Sequence, residues 1–357
     1  MIFDIVASNV SGLGAVQVVQ SLLPAFERVA SDRIDKIWLP ASGPLRDYSG
    51  ALPSDHYVIT SRVLPNSVSR VMECLIPSQR YLRDRTLLVL GDLPFRHSGK
   101  QIVFVHQSHL IKGSEIALMH DQMKFSFSRA IFSFNVRYVD RIIVQTEAMQ
   151  TGLNRTFPNL NDKIDIIPQP APDWLLQNPV RREGRAGGIT DASLKLFYPS
   201  AVYPHKNHEL IFQYAKEEAD NGEGVEISLT CDRSDHQPQS KALKFLGRLD
   251  PSGMQNAYSV TDALLFPSLE ESYGLPLIEA MTVGLPILCA DKPYARSICA
   301  DQAIYFDPKS TVSLRNAISQ LKEKLANGYW PNWSDRIGLF PRTWDEVAVS
   351  MLSSIGN

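Results

Sequence analysis

The 357-residue chain has no run of eighteen apolar residues, so no stretch of it reads as a membrane-spanning helix. It has few cysteines. Cys74, Cys231, Cys289 and Cys299 form no Cys-x-x-Cys and no His/Cys ligand spacing, which argues against a disulfide framework or a zinc site and for buried thiols in a reducing compartment. Neither sign of charge prevails: 36 Lys and Arg stand against 38 Asp and Glu, a net charge of -2. That balance speaks against a nucleic-acid binder resting on a large positive field. No Asp-x-Asp lies at a strand end, so no resident metal is expected, and no other cofactor. The opening Met1–Ala7 lacks a basic n-region and carries Asp4, which reads as a first strand rather than a signal peptide and implies a cytosolic protein. What is present is ordinary for a soluble globular chain: 44% apolar and 21% charged residues, enough for a normal core.

Short apolar runs alternate with helical patterns. Ile2–Ala7, Lys36–Leu39, His56–Ile59, Leu87–Leu90, Ile102–His106, Arg141–Gln145 and Lys163–Ile167 read as strands, with helices such as Ala15–Ala30 and Met123–Val139 between them. Continuous apolar strands separated by helices predict a parallel sheet covered on both faces. Pro168–Asp173 is proline-rich and Arg181–Gly188 is polar and glycine-rich, which reads as a linker. The alternation then restarts with Leu194–Pro199, Glu226–Thr230, Leu243–Gly247, Ala263–Phe266 and Pro286–Ala290. The expectation is an α/β protein of two Rossmann-like domains, 1–168 and 191–336, joined by 169–190 and facing a central cleft. A helical segment over 337–357 follows, which either packs back on the first domain or elsewhere.

Three segments at expected strand ends carry unusual chemistry. In Phe266-Pro-Ser-Leu-Glu-Glu-Ser-Tyr-Gly-Leu-Pro-Leu-Ile-Glu279 a strand ends at Pro267, a loop runs to Gly274, and Pro276 suits the first position of a helix. Glu279 is then expected in the first turn, with Glu271 on the loop before it. The N–H groups of such a helix start suit a phosphate, and neighbouring carboxylates suit sugar hydroxyls. The plainer alternative is a capping Glu279 and a solvated Glu271. In Phe197-Tyr-Pro-Ser-Ala-Val-Tyr-Pro-His-Lys-Asn-His208, Lys206 offers a point charge apt for a diphosphate, and Asn207 suits the cap of a helix over His208–Glu217. Ser8-Asn-Val-Ser-Gly-Leu-Gly-Ala15 has Gly-x-Gly without the third glycine of a dinucleotide fingerprint, so a nicotinamide enzyme is a weak reading.

The Glu271–Glu279 spacing, with Gly284-Leu-Pro-Ile-Leu288 and Tyr305-Phe-Asp-Pro308 downstream, resembles the glutamate–seven residues–glutamate motif of retaining family 4 glycosyltransferases of GT-B fold. The first-domain stretches around Val105-His-Gln and Val144-Gln-Thr are most similar to capsule and O-antigen transferases. The resemblance implies metal-independent, retaining transfer from a nucleotide-diphosphate sugar to a growing, lipid-linked bacterial surface glycan. By it Glu271 contacts the donor sugar, Glu279 the ribose, and the backbone around Gly274 and Leu275 the diphosphate, with Ser272 and Tyr273 also on the donor side. Lys206 would stabilise the leaving group, His106 would lie beside the sugar, and Gly14 would line the cleft. Ser200 stands where many members carry arginine, and a hydroxyl cannot replace a guanidinium fork. Arg248, in Phe245-Leu-Gly-Arg-Leu-Asp250, is a candidate contact at the strand end that holds the base.

Eight basic residues between Arg62 and Lys112 face only Glu73, Asp84 and Asp92, and Val71–Tyr81 mixes apolar residues among them. That composition suits a peripheral contact with anionic lipid on the inner membrane face, although a solvated surface is the plainer reading. Two rival functions stay open: a non-catalytic nucleotide-sugar-binding partner of an active transferase, motivated by Ser200, and a GT-B epimerase or phosphorylase.

Overall fold

The computed structural model describes residues 1–10, 12–61, 66–76, 85–113, 122–160, 162–184, 193–218, 224–234 and 240–356, without the side chains at 66, 67 and 122–124. The chain divides into two compact units, Met1–Pro172 with Pro341–Asn357, and Asp173–Phe340. The division thus falls at Pro172 and again at Phe340, whereas the sequence marks 169–190 and 336.

The first unit holds β1 (Phe3–Val6), β2 (Ile34–Leu39), β3 (Tyr57–Ile59), β4 (Thr86–Val89), β5 (Gln101–Phe104), β6 (Arg141–Val144) and β7 (Ile164–Ile166). These described strands form one parallel sheet in the order β3-β2-β1-β4-β5-β6-β7. Its central strands are buried at every position, because helices cover both faces. The helix Leu13–Ala30 follows β1, and the helix Trp344–Gly356 packs along it. Arg28 closes that seam on Asp345 at 2.6 Å, Lys100 Nζ donates to the Ile355 carbonyl, and buried Trp344 donates to the Ala171 carbonyl. The terminal helix therefore belongs to the first unit.

The second unit holds β8 (Leu194–Tyr198), β9 (Val225–Leu229), β10 (Leu243–Phe245), β11 (Ala263–Phe266), β12 (Ile287–Ala290) and β13 (Ile304–Phe306). They pair in parallel as β10-β9-β8-β11-β12-β13. β13, three residues at the sheet edge, is the strand the sequence pattern misses. In each sheet the strand order reverses once, between β1 and β4 and between β8 and β11. Such reversals open a crevice at the carboxyl ends of the strands, where open α/β sheets bind ligands. All four cysteines are free and buried. Among the described residues no helix is long and apolar enough to cross a membrane. Of the basic stretch, Arg62, Arg80, Tyr81, Arg83 and Asp84 lie outside the described residues, as do Ser11 of the first loop and residues 185–188 of the glycine-rich segment.

Candidate active site

In the second unit the crevice is built by two loops. One follows β8 and carries Lys206; the other follows β11 and carries Glu271. They are neighbours only because β8 and β11 pair across the point of reversal. Their meeting is an ion pair: Lys206 Nζ donates to Glu271 Oε1 at 2.5 Å, with 19% and 11% of the two side chains exposed. The Lys206 ammonium also lies 5.9 Å above the Phe266 ring. The sequence assigns the two residues separate duties, and the structure brings them into contact.

Five further bonds fasten these loops and the strand ends beside them. Leu269 N donates to the His205 carbonyl at 2.8 Å. Asn207 Nδ2 donates to the Pro267 and Pro308 carbonyls at 3.2 and 2.8 Å. Buried Tyr198 donates its phenol to the Lys206 carbonyl at 2.7 Å, which leaves that oxygen to accept from Ser268 Oγ at 3.1 Å. Asn207 does stand at the cap position of the helix His208–Glu217, but its side chain makes no cap bond. With its backbone left-handed at φ 56, the amide points away from the helix and ties the ends of β8, β11 and β13 instead. The capping expectation is corrected accordingly. His205 is half-buried, and desolvation followed by the Lys206 charge pushes its imidazole down to about 4. Ser200 is buried, and its hydroxyl donates to the Ala201 carbonyl at 3.0 Å.

The helix after β11 spans Leu275–Val283, with Gly274 at its cap position at φ 89. A Cβ there would sit 3.2 Å from Leu277 Cδ1, in a backbone region that side chains rarely adopt, so glycine lets the chain turn sharply into the helix. Pro276 is consequently the second helical residue, not the first. Glu279 falls in the second turn, because the first turn holds no acid. It therefore faces inward, 2% exposed, and accepts from the Tyr258 hydroxyl at 2.7 Å. Leu275 and Tyr273 are buried and Ser272 is half-buried beside this turn. Arg248 is exposed next to Gly247, where a Cβ would lie 3.1 Å from Asp232 Oδ1.

The first unit has its own crevice at the ends of β1, β4 and β5. Gly91 permits close packing there, since a Cβ would fall 2.7 Å from that of Asn9. Buried Asp92, at φ 66, accepts at Oδ1 from the backbone N–H of His106 at 2.5 Å and of Gln107 at 3.1 Å. Burial pushes its carboxyl up to about 6. His106 is 6% exposed, its ring 3.9 Å from that of Phe104. Neither ring nitrogen reaches a partner at hydrogen-bond geometry, although the Leu90 backbone offsets a little of the desolvation that pushes the imidazole down to about 3. Gly14 is exposed in the first turn of the helix Leu13–Ala30, and a Cβ there would meet nothing within 4 Å. Thr146 caps the helix Glu147–Thr156 by accepting from Met149 N at 3.2 Å.

Asp92 and Tyr258 are the polar residues of these crevices that sequence reasoning passes over. An aspartate directly after a glycine and an apolar strand is a signal for the first, since aspartate tolerates left-handed backbone. Nothing local marks the second.

A profile of glycosyl transferases group 1 matches residues 182–325, the stretch that contains both glutamates and Lys206. Residues 182–325 are thus similar to the group 1 glycosyl transferases. The O-antigen chain mannosyltransferase RfbU of Salmonella typhimurium is 26% identical over 133 residues, which cover 34% of this chain and 37% of that protein. The serotype-specific mannosyltransferase WbdA of Escherichia coli is 28% identical over 134 residues, 37% of this chain and 16% of WbdA. The chain thus spans well under half the length of these relatives. Among solved structures, Anabaena Alr3699/HepE, in complex with UDP and glucose, superposes with a TM-score of 0.65 at 13% identity over 100% of both chains. Sucrose-phosphate synthase from Thermosynechococcus elongatus gives 0.64 at 15% identity over 99% of this chain and 98% of that one. At such identities the likeness establishes the fold, two Rossmann-like parallel-sheet domains of the GT-B class.

Proposed function

We propose that the protein transfers a sugar, with retention at the anomeric carbon and without a metal ion, from a nucleotide-diphosphate sugar to a growing lipid-linked bacterial surface glycan. The observation that carries this reading is the Lys206–Glu271 pair at the β8/β11 reversal of a domain similar to the group 1 glycosyl transferases. The barrier to transfer lies in separating the anomeric carbon from the diphosphate, so positive groups aimed at the leaving oxygen lower it. Lys206 Nζ, turned from Glu271 toward the phosphate, and the N–H groups at Gly274 and Leu275 supply that charge. Glu271 orients the sugar, and Glu279 accepts from the ribose hydroxyls. The C–O bond to phosphate breaks while the acceptor oxygen bonds the same face, and the acceptor proton passes to the leaving phosphate oxygen. No residue of the chain becomes covalently attached.

The names of the curated relatives favour mannose as the sugar and O-antigen as the glycan. Peripheral contact with anionic lipid is supported by exposed Val68, Met72 and Ile76, spaced four apart along and just beyond the helix Asn66–Leu75, and by exposed Phe127 and Phe134 on the helix Gln122–Asn135. Flotation with vesicles of anionic, but not zwitterionic, lipid is the expected result. One observation favours a second reading: the Ser200 hydroxyl, bonded to its neighbour's carbonyl, supplies no cation, as in a binding partner without turnover.

Calorimetry with UDP, GDP, dTDP and NAD tests the proposal. Binding of one diphosphate that is lost in Lys206→Ala, with release of that diphosphate from its sugar nucleotide only when acceptor is present, is expected. Diphosphate binding with no turnover on any acceptor moves the assignment to the binding partner, and no diphosphate binding refutes both.

A further inference from the structure

We propose that Tyr258 is a positioning residue for nucleotide recognition: its hydroxyl fixes the Glu279 carboxylate in the orientation that receives the ribose. The inference rests on the assignment of Glu279 to the ribose given above.

Glu279 is an unusual carboxylate to find in the second turn of a helix whose neighbours are buried apolar residues. Leu277, Ile278, Ala280 and Met281 are all core. A carboxylate enclosed in this way needs hydrogen-bond donors, and it takes the orientation its donors impose. Tyr258 is such a donor, at 2.7 Å from Oε2 and with no exposed surface of its own. The phenol in turn has little freedom. Its ring stands edge-on to Phe197 of β8 at 5.1 Å and 89°. Burial, and then the Glu279 charge, push the phenol well above its ordinary range, so it keeps its proton and remains the donor.

The position of Tyr258 in the fold adds a second reason. It lies on the helix Pro251–Val260, which Asp250 caps by accepting from Gly253 N at 2.7 Å. That helix leaves directly from the Gly247–Arg248 turn at the end of β10. The segment at the expected base contact and the group that holds the ribose carboxylate are therefore adjacent along the chain, a short loop and the helix it leads into. A purely structural tyrosine would stabilise the fold without any preference for the ribose of a bound nucleotide. A positioning tyrosine governs that preference.

The experiment measures, by calorimetry on the full chain, the affinity for the diphosphate that binds best and for its 2′,3′-dideoxy analogue. The wild type is expected to prefer the ribose form at least tenfold, and Glu279→Ala to abolish the preference. Tyr258→Phe, which deletes one oxygen, is expected to cut the preference at least fivefold while leaving affinity for the dideoxy analogue within twofold. Thermal melts of the variant report its folding. The Tyr258→Phe/Glu279→Ala double variant is expected to bind no more weakly than Glu279→Ala alone, a comparison that cancels any shared loss of stability. A Tyr258→Phe protein that keeps the full ribose preference, while Glu279→Ala loses it, overturns the positioning role and leaves the ribose assignment standing. A wild type with no ribose preference overturns both. Should Tyr258→Phe fail to fold, Glu279→Gln, which keeps an oxygen acceptor for the phenol, must retain part of the preference that Glu279→Ala loses; equal loss in the two refutes the proposal.

Discussion

Removing the charge of Lys206 separates its part in the fold from its part at the phosphate. Lys206→Met keeps the stem length and apolar contact over Phe266 but leaves Glu271, 11% exposed, without its partner. Breaking a fully buried ion pair from one side costs about 3–5 kcal/mol. The residual exposure of both side chains admits water and lowers this to about 1–3 kcal/mol. At roughly 2–4 °C per kcal/mol for a unit of this size, the midpoint should fall by roughly 2–12 °C. Glu271→Gln keeps an acceptor for the ammonium and should cost less. The binding consequences run the other way. In the free protein the ammonium is held by Glu271, so a diphosphate must draw it away. Lys206→Met should lose one charge-assisted bond to phosphate, about 1.5–3 kcal/mol, or roughly ten- to a hundredfold in Kd. Glu271→Gln removes the charge but not the acceptor, so it holds the ammonium less strongly and should bind the bare diphosphate at least as tightly as the wild type, while losing transfer. Differential scanning calorimetry and titration with the diphosphate read the two effects separately. Equal loss of diphosphate affinity in the two variants would refute a direct bond from Lys206 to the phosphate.

Three other outcomes follow from the geometry. Asn207→Ala strips two donations to the Pro267 and Pro308 carbonyls and places alanine at φ 56; a loss of about 1–3 kcal/mol in urea denaturation is expected, and an unchanged midpoint contradicts the tether. Gly274→Ala, at φ 89 and 3.2 Å from Leu277 Cδ1, should destabilise by about 1–3 kcal/mol and weaken diphosphate binding with it. The third concerns acid. The His106 imidazole is pushed down to about 3, so the unfolded chain takes up a proton near pH 6.5 that the folded chain refuses, and stability falls as pH drops below 6.5. Asp92, raised to about 6, acts oppositely: the folded chain holds its proton up to pH 6, so its contribution falls as pH rises from about 4 to 6. His106→Gln should accordingly lose less stability than the wild type between pH 6.5 and 5, by up to about 2 kcal/mol, in urea melts at the two pH values.

Local pattern was enough for the architecture. Continuous apolar strands such as Leu87–Leu90 and Ala263–Phe266, each followed by a helical period, leave a parallel sheet as the way to bury both faces, and the described strands pair in parallel throughout. The loop chemistry after β8 and β11 was legible for the same reason, since strand ends and helix starts are local features. The turn at Gly274 was readable too, yet the register of its helix was off by one residue, and that single step carried Glu279 from the first turn to the buried second.

Which groups touch was decided by strand order alone. Lys206 and Glu271 are 65 residues apart and meet because β11 returns to pair with β8, past β9 and β10. Asn207 reads as a helix cap in sequence, but three strand ends converge on it in space and offer two carbonyls. Tyr258 carries no local mark of its role, because a hydrogen-bond partner is a property of neighbours in the fold. The sequence by itself determined the layers, the crevice-forming loops and the glycosyl transferase likeness of the second domain. Only the tertiary structure decided the pairs of charges and donors within those crevices, since pairing energies depend on distances that chain separation does not encode.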